Sequence, residues 1–229
     1  RDAGVAVLVA AIAFGPAAAL PALAGPEGFD PTVGGATIDQ VDPTRWEITA
    51  PDGSVIQYSS FDIAAGEAVH FIQTVGGIES ADARVLNRIL SALPTQIHGS
   101  LTGNGHIYIV NPAGVIFHEG ATVNANGIHA AGGHLSDADF ANQVPDPVTG
   151  ELGDHYTGVG GDVTNAAEIV ARAVSLVGQQ VVNSGSIGDP DNVFAEDGWI
   201  VIAAGNDVII GREGGTTESG GLLLRIEGA

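Results

Sequence analysis

Seven histidines and 27 acidic residues are the groups through which this 229-residue chain could do acid–base or metal chemistry. The histidines are His70, His98, His106, His118, His129, His134 and His155, and only His129 and His134 lie near one another in sequence. No carboxylate pattern accompanies that pair, so no metal site is expected. Asp137/Asp139 and Asp189/Asp191 are spaced as carboxylate pairs of the kind a polysaccharide-cleaving enzyme uses, but each sits among loop-forming Pro or Gly. Lys is absent, and removing Arg1 from the seven basic residues leaves six Arg to bind an acidic sugar. There is no Cys for a thiolate nucleophile or zinc ligand, and no G-x-S-x-G elbow. Gly205-Asn206-Asp207-Val208-Ile209 echoes a single calcium-binding nonapeptide. Such sites are built from consecutive copies, so this one reads as a corner of the chain. No catalytic residue, metal or cofactor is therefore assigned, and the chain is read as a non-enzyme.

The informative polar residues are asparagines. Asn111-Pro112-Ala113-Gly114-Val115, followed by Phe117, has turn chemistry: Asn at the first position, Pro fixing φ at the second, Gly where positive φ is needed. Val163-Thr164-Asn165-Ala166-Ala167-Glu168-Ile169 returns as Val181-Val182-Asn183-Ser184-Gly185-Ser186-Ile187, preserving V-x-N-x-x-x-I. A period near 20 residues, with several strand-sized pieces in each, is the signature of a β-solenoid in which inward Val, Ile and Leu stack on their equivalents. Asn124, Asn126, Asn165 and Asn183 fall at repeated corners, where Asn tolerates left-handed backbone and its amides can bond along the stack. A sandwich of ordinary hairpins is the alternative, since it too shows short strands and regular turns.

Those positions require elements to hold them. Short β runs flank Pro51-Asp52-Gly53 and Ala65-Gly66-Glu67, each reading as strand–turn–strand. Strands are expected at His106–Val110, 114–117, 121–124, 127–130, 173–178, 198–205 and 207–211. Val85, Leu86, Ile89, Leu90 and Leu93 have helical spacing, so residues 80–93 read as a helix, or as a helical turn or loop packed on a sheet. Residues 137–158, rich in Asp, Pro and Gly, read as an excursion from the coil.

Composition bounds the rest. The formal charge of −20 opposes nucleic acid or an anionic membrane as partner. The 34 glycines sit beside 45% hydrophobic residues, which is enough apolar material for a core. Residues 1–24 read as a signal peptide: an Ala-rich apolar run ending in the small-x-small pattern Ala22-Leu23-Ala24, with Gly25-Pro26-Glu27 turning polar at once.

The stretch Arg84 to Phe140 resembles the N-terminal secretion domain of two-partner-secreted exoproteins, the filamentous haemagglutinin and haemolysin type. The family's N-P-N-G-I step is matched by Asn111-Pro112-Ala113-Gly114-Val115, and its F-G-x-x-A-x-V-N step by Phe117, Ala121, Val123 and Asn124. Asn87-Arg88-Ile89, Gln96-Ile97-His98-Gly99 and Asp137-Ala138-Asp139-Phe140 match three further steps. Ala113 replaces the second Asn, His118 stands where Gly is usual, and no second N-P-N-L-like motif is present.

The resemblance implies an all-β fold, a right-handed parallel β-helix with an N-terminal cap and extra-helical strands or hairpins, over residues 25–229. It implies export by the Sec machinery, then recognition in the periplasm by a dedicated outer-membrane transporter with peptide-binding domains. The destination would be the medium or cell surface of a Gram-negative-type bacterium. Asn111, Pro112, Ala113, Gly114, Val115 and Phe117 would carry that recognition. A carbohydrate- or host-binding adhesin module is the alternative function, and a host or surface glycan would then be met through sequence beyond Ala229.

Overall fold

The computed structural model describes residues 25–141, 153–188, 198–212 and 222–227; the expected signal peptide and the Asp189/Asp191 pair lie outside them. The chain winds as a parallel β-helix, each coil laying one strand on each of three sheets. The first full coil takes Arg45–Pro51 and Ser54–Tyr58, then Ser60–Phe61 and the bridge residue Ile63. The second takes Ala68–Val75, Arg84–Ile89 and Thr95–Ile97, and the third Ser100–Gly103, His106–Val110 and Gly114–Phe117. Thr122–Asn124, Gly127–Ala131 and Asp162–Asn165 form the fourth, and Glu168–Val170, Ala173–Gly178 and Val181–Asn183 the fifth. Ser186–Gly188 and Trp199–Ala204 begin a sixth. Successive coils pair parallel and in register throughout, including Val163↔Val181, Asn165↔Asn183 and Ile169↔Ile187. The repeat seen in sequence is therefore one turn of the helix, and the hairpin sandwich is set aside.

The pattern of burial explains which strand went where. Arg45–Pro51 and Ala68–Val75 alternate buried and accessible residues, as expected of strands with one face in the core and one in water. Gly127–Ala131 and Ala173–Gly178 are buried at every position. Their sheet is covered on both sides: the helix interior lies on one face and an extra-helical layer on the other. Ile56, Ile109, Ala130 and Leu176 stack inward. Leu86, Tyr108, Val177 and Val201 pack outward, against Phe140, Tyr156, Val208 and Ile210. That covering layer is an antiparallel sheet of His134–Leu135, Gly153–Thr157, Asp207–Arg212 and Leu222–Glu227, with a four-residue helix at Asp137–Phe140.

Two segments depart from the sequence reading. Residues 84–89 form a strand, not a helix or a loop; Val85 and Ile89 enter the core while Leu86 lies under the extra-helical layer, so apolar residues on both faces mimic helical spacing. Pro51-Asp52-Gly53 turns the chain between two strands as expected, and those strands lie in different sheets, each pairing with the next coil. Asp207–Arg212 is no coil strand: it leaves the helix after Ala204 and pairs antiparallel with Gly153–Thr157 and Leu222–Glu227.

The two ends of the helix differ. At the first coil, Asp30–Val33 and Thr37–Asp42 pair antiparallel with the edge strands, and Phe29, Ala36 and Ile38 pack on the core. At the last described coil, Ile200 and Ile202, which continue inward-facing ladders, remain 50% and 46% exposed.

Candidate recognition site

Asn111 ends its strand with every polar group engaged. Its side chain is fully buried. The amide Nδ2 donates to the Leu93 carbonyl at 3.0 Å and to Thr95 Oγ1 at 3.1 Å, both on the preceding coil. Its Oδ1 accepts the Ala113 N–H at 2.9 Å. Its backbone carbonyl accepts from Gly114 N at 2.8 Å, closing the turn, and its own N–H donates to Ala131 on the next coil at 3.0 Å. Asn is suited to this position because one side chain must supply both a donor and an acceptor.

Gly114 follows with φ +114°, and a Cβ there would lie 2.5 Å from the Asp162 carbonyl oxygen. Gly161 approaches from above so closely that its own Cβ would meet Gly114 N at 2.4 Å and Pro112 O at 2.6 Å. The turn is thus clamped between coils, leaving Pro112 and Ala113 half-buried at its tip. Beside it stand Leu90 and Leu93, 64% and 73% exposed, on the loop whose carbonyl Asn111 holds. Val115 and Phe117 point into the core and present nothing to a partner.

The family model for the TPS (two-partner secretion) secretion domain matches residues 40–223. The chain belongs to this family. Over 167 residues it is 32% identical to a heme/hemopexin-binding protein of Haemophilus influenzae strain Rd, covering 71% of this chain and 17% of that protein. A second heme/hemopexin-binding protein of Haemophilus influenzae is 33% identical over 106 residues, covering 46% and 11%. The chain thus spans less than a fifth of the curated relatives it matches. The crystal structure of the HMW1 secretion domain from Haemophilus influenzae shares the β-helix fold, with a TM-score of 0.71 at 24% identity over 90% of this chain and 50% of that one.

Within this TPS secretion domain two of the three departures from the family pattern have local explanations. Ala113 offers only its N–H to the turn, and Asn111 takes it. His118 lays its ring on His98 of the coil below, centroids 3.7 Å apart and ring planes nearly parallel, and its Nε2 meets Gln96 Oε1 at 2.6 Å. Partial burial, then the neighbouring His98, lowers the pKa of His118.

The other expected corner residues separate into three settings. Asn165 is buried and donates to Asn183 Oδ1 at 2.8 Å, one coil on, while its Oδ1 accepts Ala167 N–H at 3.1 Å. Asn126 donates to the Ala81 carbonyl at 2.9 Å. Asn124 is exposed and pairs through its strand with Thr102 and Val170. Of the remaining family steps, Asn87 is buried in the interior, and Arg88 reaches outward to the Leu135 carbonyl and Asp137, each at 2.7 Å.

A polar cluster that sequence spacing missed lies beneath the extra-helical layer. His106 Nδ1 meets His129 Nε2 at 3.0 Å, and His129 Nδ1 meets Ser175 Oγ at 3.0 Å, along three successive coils. Tyr108 OH donates to Asp154 Oδ2 at 2.9 Å. Burial drives the Asp154 carboxyl up to about 6, against the opposing pull of Tyr108 and Arg84. Burial, aided by the charges of His106 and Arg84, drives His129 well below its usual value. The signal available in sequence was the coil period, which sets Tyr108 opposite His129 and leaves His106 diagonal to it, 23 residues away. The pair singled out there, His129 and His134, does not act together: His129 is buried in the cluster, whereas His134 is exposed on the extra-helical sheet. Among the described residues no group of three or more His, Cys, Asp or Glu could hold a metal ion.

Proposed function

We propose that this domain is the export address of a larger exoprotein, recognised in the periplasm by an outer-membrane transporter and serving outside the cell as the first folded coils. The observation that carries the folding half is the cap on the first coil: Asp30–Val33 and Thr37–Asp42 pair antiparallel with its edge strands and close that end of the helix. A solenoid of this kind gains a nearest-neighbour interface with each coil added, so growth has a direction. The recognition half is assigned to the turn tip at Pro112 and Ala113 with the adjoining Leu90 and Leu93, held in place by Asn111 and Gly114. Val115 and Phe117 support that surface from within. Asn124, Asn126, Asn165 and Asn183 are assigned to holding successive coils in phase. The route is Sec-dependent export of a chain carrying residues 1–24 as leader, followed by passage through the outer membrane to the surface or medium.

A non-catalytic module suits the site. Asp137 is bound to Arg88 and Asp139 Oδ2 accepts from Ser136 Oγ, so this carboxylate pair is committed to the extra-helical helix. The test is co-expression with the candidate transporter, scoring the protein in the medium with and without residues 25–140. Release that persists without those residues overturns the assignment, as does normal secretion of a fully folded Asn111→Ala protein.

A further inference from the structure

Gly25 is buried, and its backbone nitrogen is directed at a buried carboxylate. The nitrogen lies 3.2 Å from Glu67 Oε2. Glu67 is 3% exposed, and the same oxygen accepts the Ala64 N–H at 2.9 Å. The carboxylate is built into the corner ahead of the Ala68–Val75 strand, where Glu67 N donates to Ala64 O at 3.0 Å. Trp46 closes the other side. Gly25 has φ +56°, and a Cβ there would lie 2.5 Å from Trp46 Cζ2. The following residues extend the clasp: Pro26 and Glu27 pair antiparallel with Phe61 and Ser60, and Ser59 N donates to Glu27 O at 2.9 Å.

The small-x-small sequence Ala22-Leu23-Ala24 stands directly before this buried glycine. Hydrolysis by signal peptidase adds water across the Ala24–Gly25 peptide bond. Ala24 leaves with the new carboxylate and Gly25 keeps the nitrogen, which takes up protons to become an ammonium. A neutral amide with one N–H thereby becomes a cation with three donors. Charge-assisted hydrogen bonds are roughly twice as strong as neutral ones.

We propose that Glu67 is the receptor for the α-ammonium created at Gly25 when the leader is removed, so that processing itself completes the N-terminal clasp of the β-helix. The inference rests on the reading of residues 1–24 as a leader and is independent of which partner recognises the domain. It gives the glycine at the junction a second requirement. The residue after the cut must lack a side chain to fit beneath Trp46, in addition to satisfying the peptidase.

Because Lys is absent, the α-amine is the single amine of the processed chain, and amine chemistry reads it alone. The protein is exported with its own leader, purified, and its first residue determined by mass spectrometry; Gly25 is expected. Acetylation of the folded protein near neutral pH should run about tenfold slower than in the Glu67→Gln variant or the urea-unfolded chain, because a bound ammonium titrates above the usual ~7.7–8.0. A chain made with two extra residues ahead of Gly25 keeps a neutral N–H at that point and should melt several degrees lower. That difference should vanish in the Glu67→Gln background. If Glu67→Gln does not fold, the processed and extended chains with Glu67 intact still give the melting comparison. A first residue other than Gly25 overturns the proposal. So does an amine acetylated as fast when folded as when unfolded, equal melting of processed and extended chains, or a melting difference unchanged in Glu67→Gln.

Discussion

Asn111 on the third coil donates its side-chain amide to the Leu93 carbonyl on the second, 3.0 Å away, fixing the loop that exposes Leu90 and Leu93 to the position of the next turn. Replacing Asn111 by Ala removes this bond together with those to Thr95 and Ala113, leaving their groups unpartnered at a buried site. We expect a loss of about 2–3 kcal/mol, seen as a lower Tm with the strand signature in circular dichroism retained. Asn111→Asp keeps the acceptor for Ala113 but sets a carboxylate against the Leu93 carbonyl. It should be at least as destabilising at neutral pH. Parallel thermal melts of the two variants check both statements.

Gly114→Ala should be the more severe change in this turn. It combines a φ of +114°, which costs an L-residue about 1–2 kcal/mol, with a Cβ only 2.5 Å from the Asp162 carbonyl of the coil above. That neighbour is backbone and can yield only by moving its strand, so the overlap adds a further ~1–3 kcal/mol. Ala113→Asn, which restores the residue usual in the family at the half-buried tip, should change stability by less than about 0.5 kcal/mol. Urea denaturation of the two variants separates a requirement for glycine from a tolerance at its neighbour.

The amides of Asn165 and Asn183 bond along the helix axis at 2.8 Å, and a double-mutant cycle should recover a coupling of about 0.5–1.5 kcal/mol. The single changes will not be equal. Asn165→Ala also abandons the bond from Ala167 inside the core, whereas Asn183 is exposed on the end strand of its sheet. Purely additive values would show that the ladder contributes nothing beyond its separate members.

How much was legible follows from what sets each contact. Val163 and Val181 were matched by spacing because a coil that returns to the same phase puts equivalent residues in register. The Asn111 turn was legible for the same local reason, since Pro and Gly fix backbone angles whatever lies around them. The partners of Asn111 were not, because coil length alone decides that Leu93 and Thr95 lie beneath it. Residues 84–89 were misread because burial on both faces erases alternation, and that second covering depends on a segment some 50 residues further along the chain. Tyr108 and Asp154, 46 residues apart, meet only once the extra-helical layer folds back. Spacing within a coil was readable, and what lies across the coil was not.

That layer should make stability depend on pH through two groups working in opposite directions. Asp154 titrates at about 6 in the folded protein against 3.8 ordinarily, because burial disfavours its anion. Its folded state holds the proton more tightly than the unfolded one, so its contribution is fully present below pH ~4 and is lost as pH rises through about 6, on the order of 2–3 kcal/mol. His129 is shifted downward from 6.5, again chiefly by burial, and is bound neutral between His106 and Ser175. Its contribution is present above pH 6.5 and is lost as the unfolded chain takes up protons below it. Asp154→Asn should therefore raise stability at pH 8 and remove the decline between about pH 4 and 7. His129→Gln, which keeps hydrogen-bonding groups near Ser175, should weaken the loss of stability below pH 6.5. Chemical denaturation of the parent and both variants across pH 4–8 measures the two limbs separately. A parent profile flat on both sides of pH 6, with neither variant altering it, would mean that the cluster beneath the extra-helical sheet does not couple protons to folding.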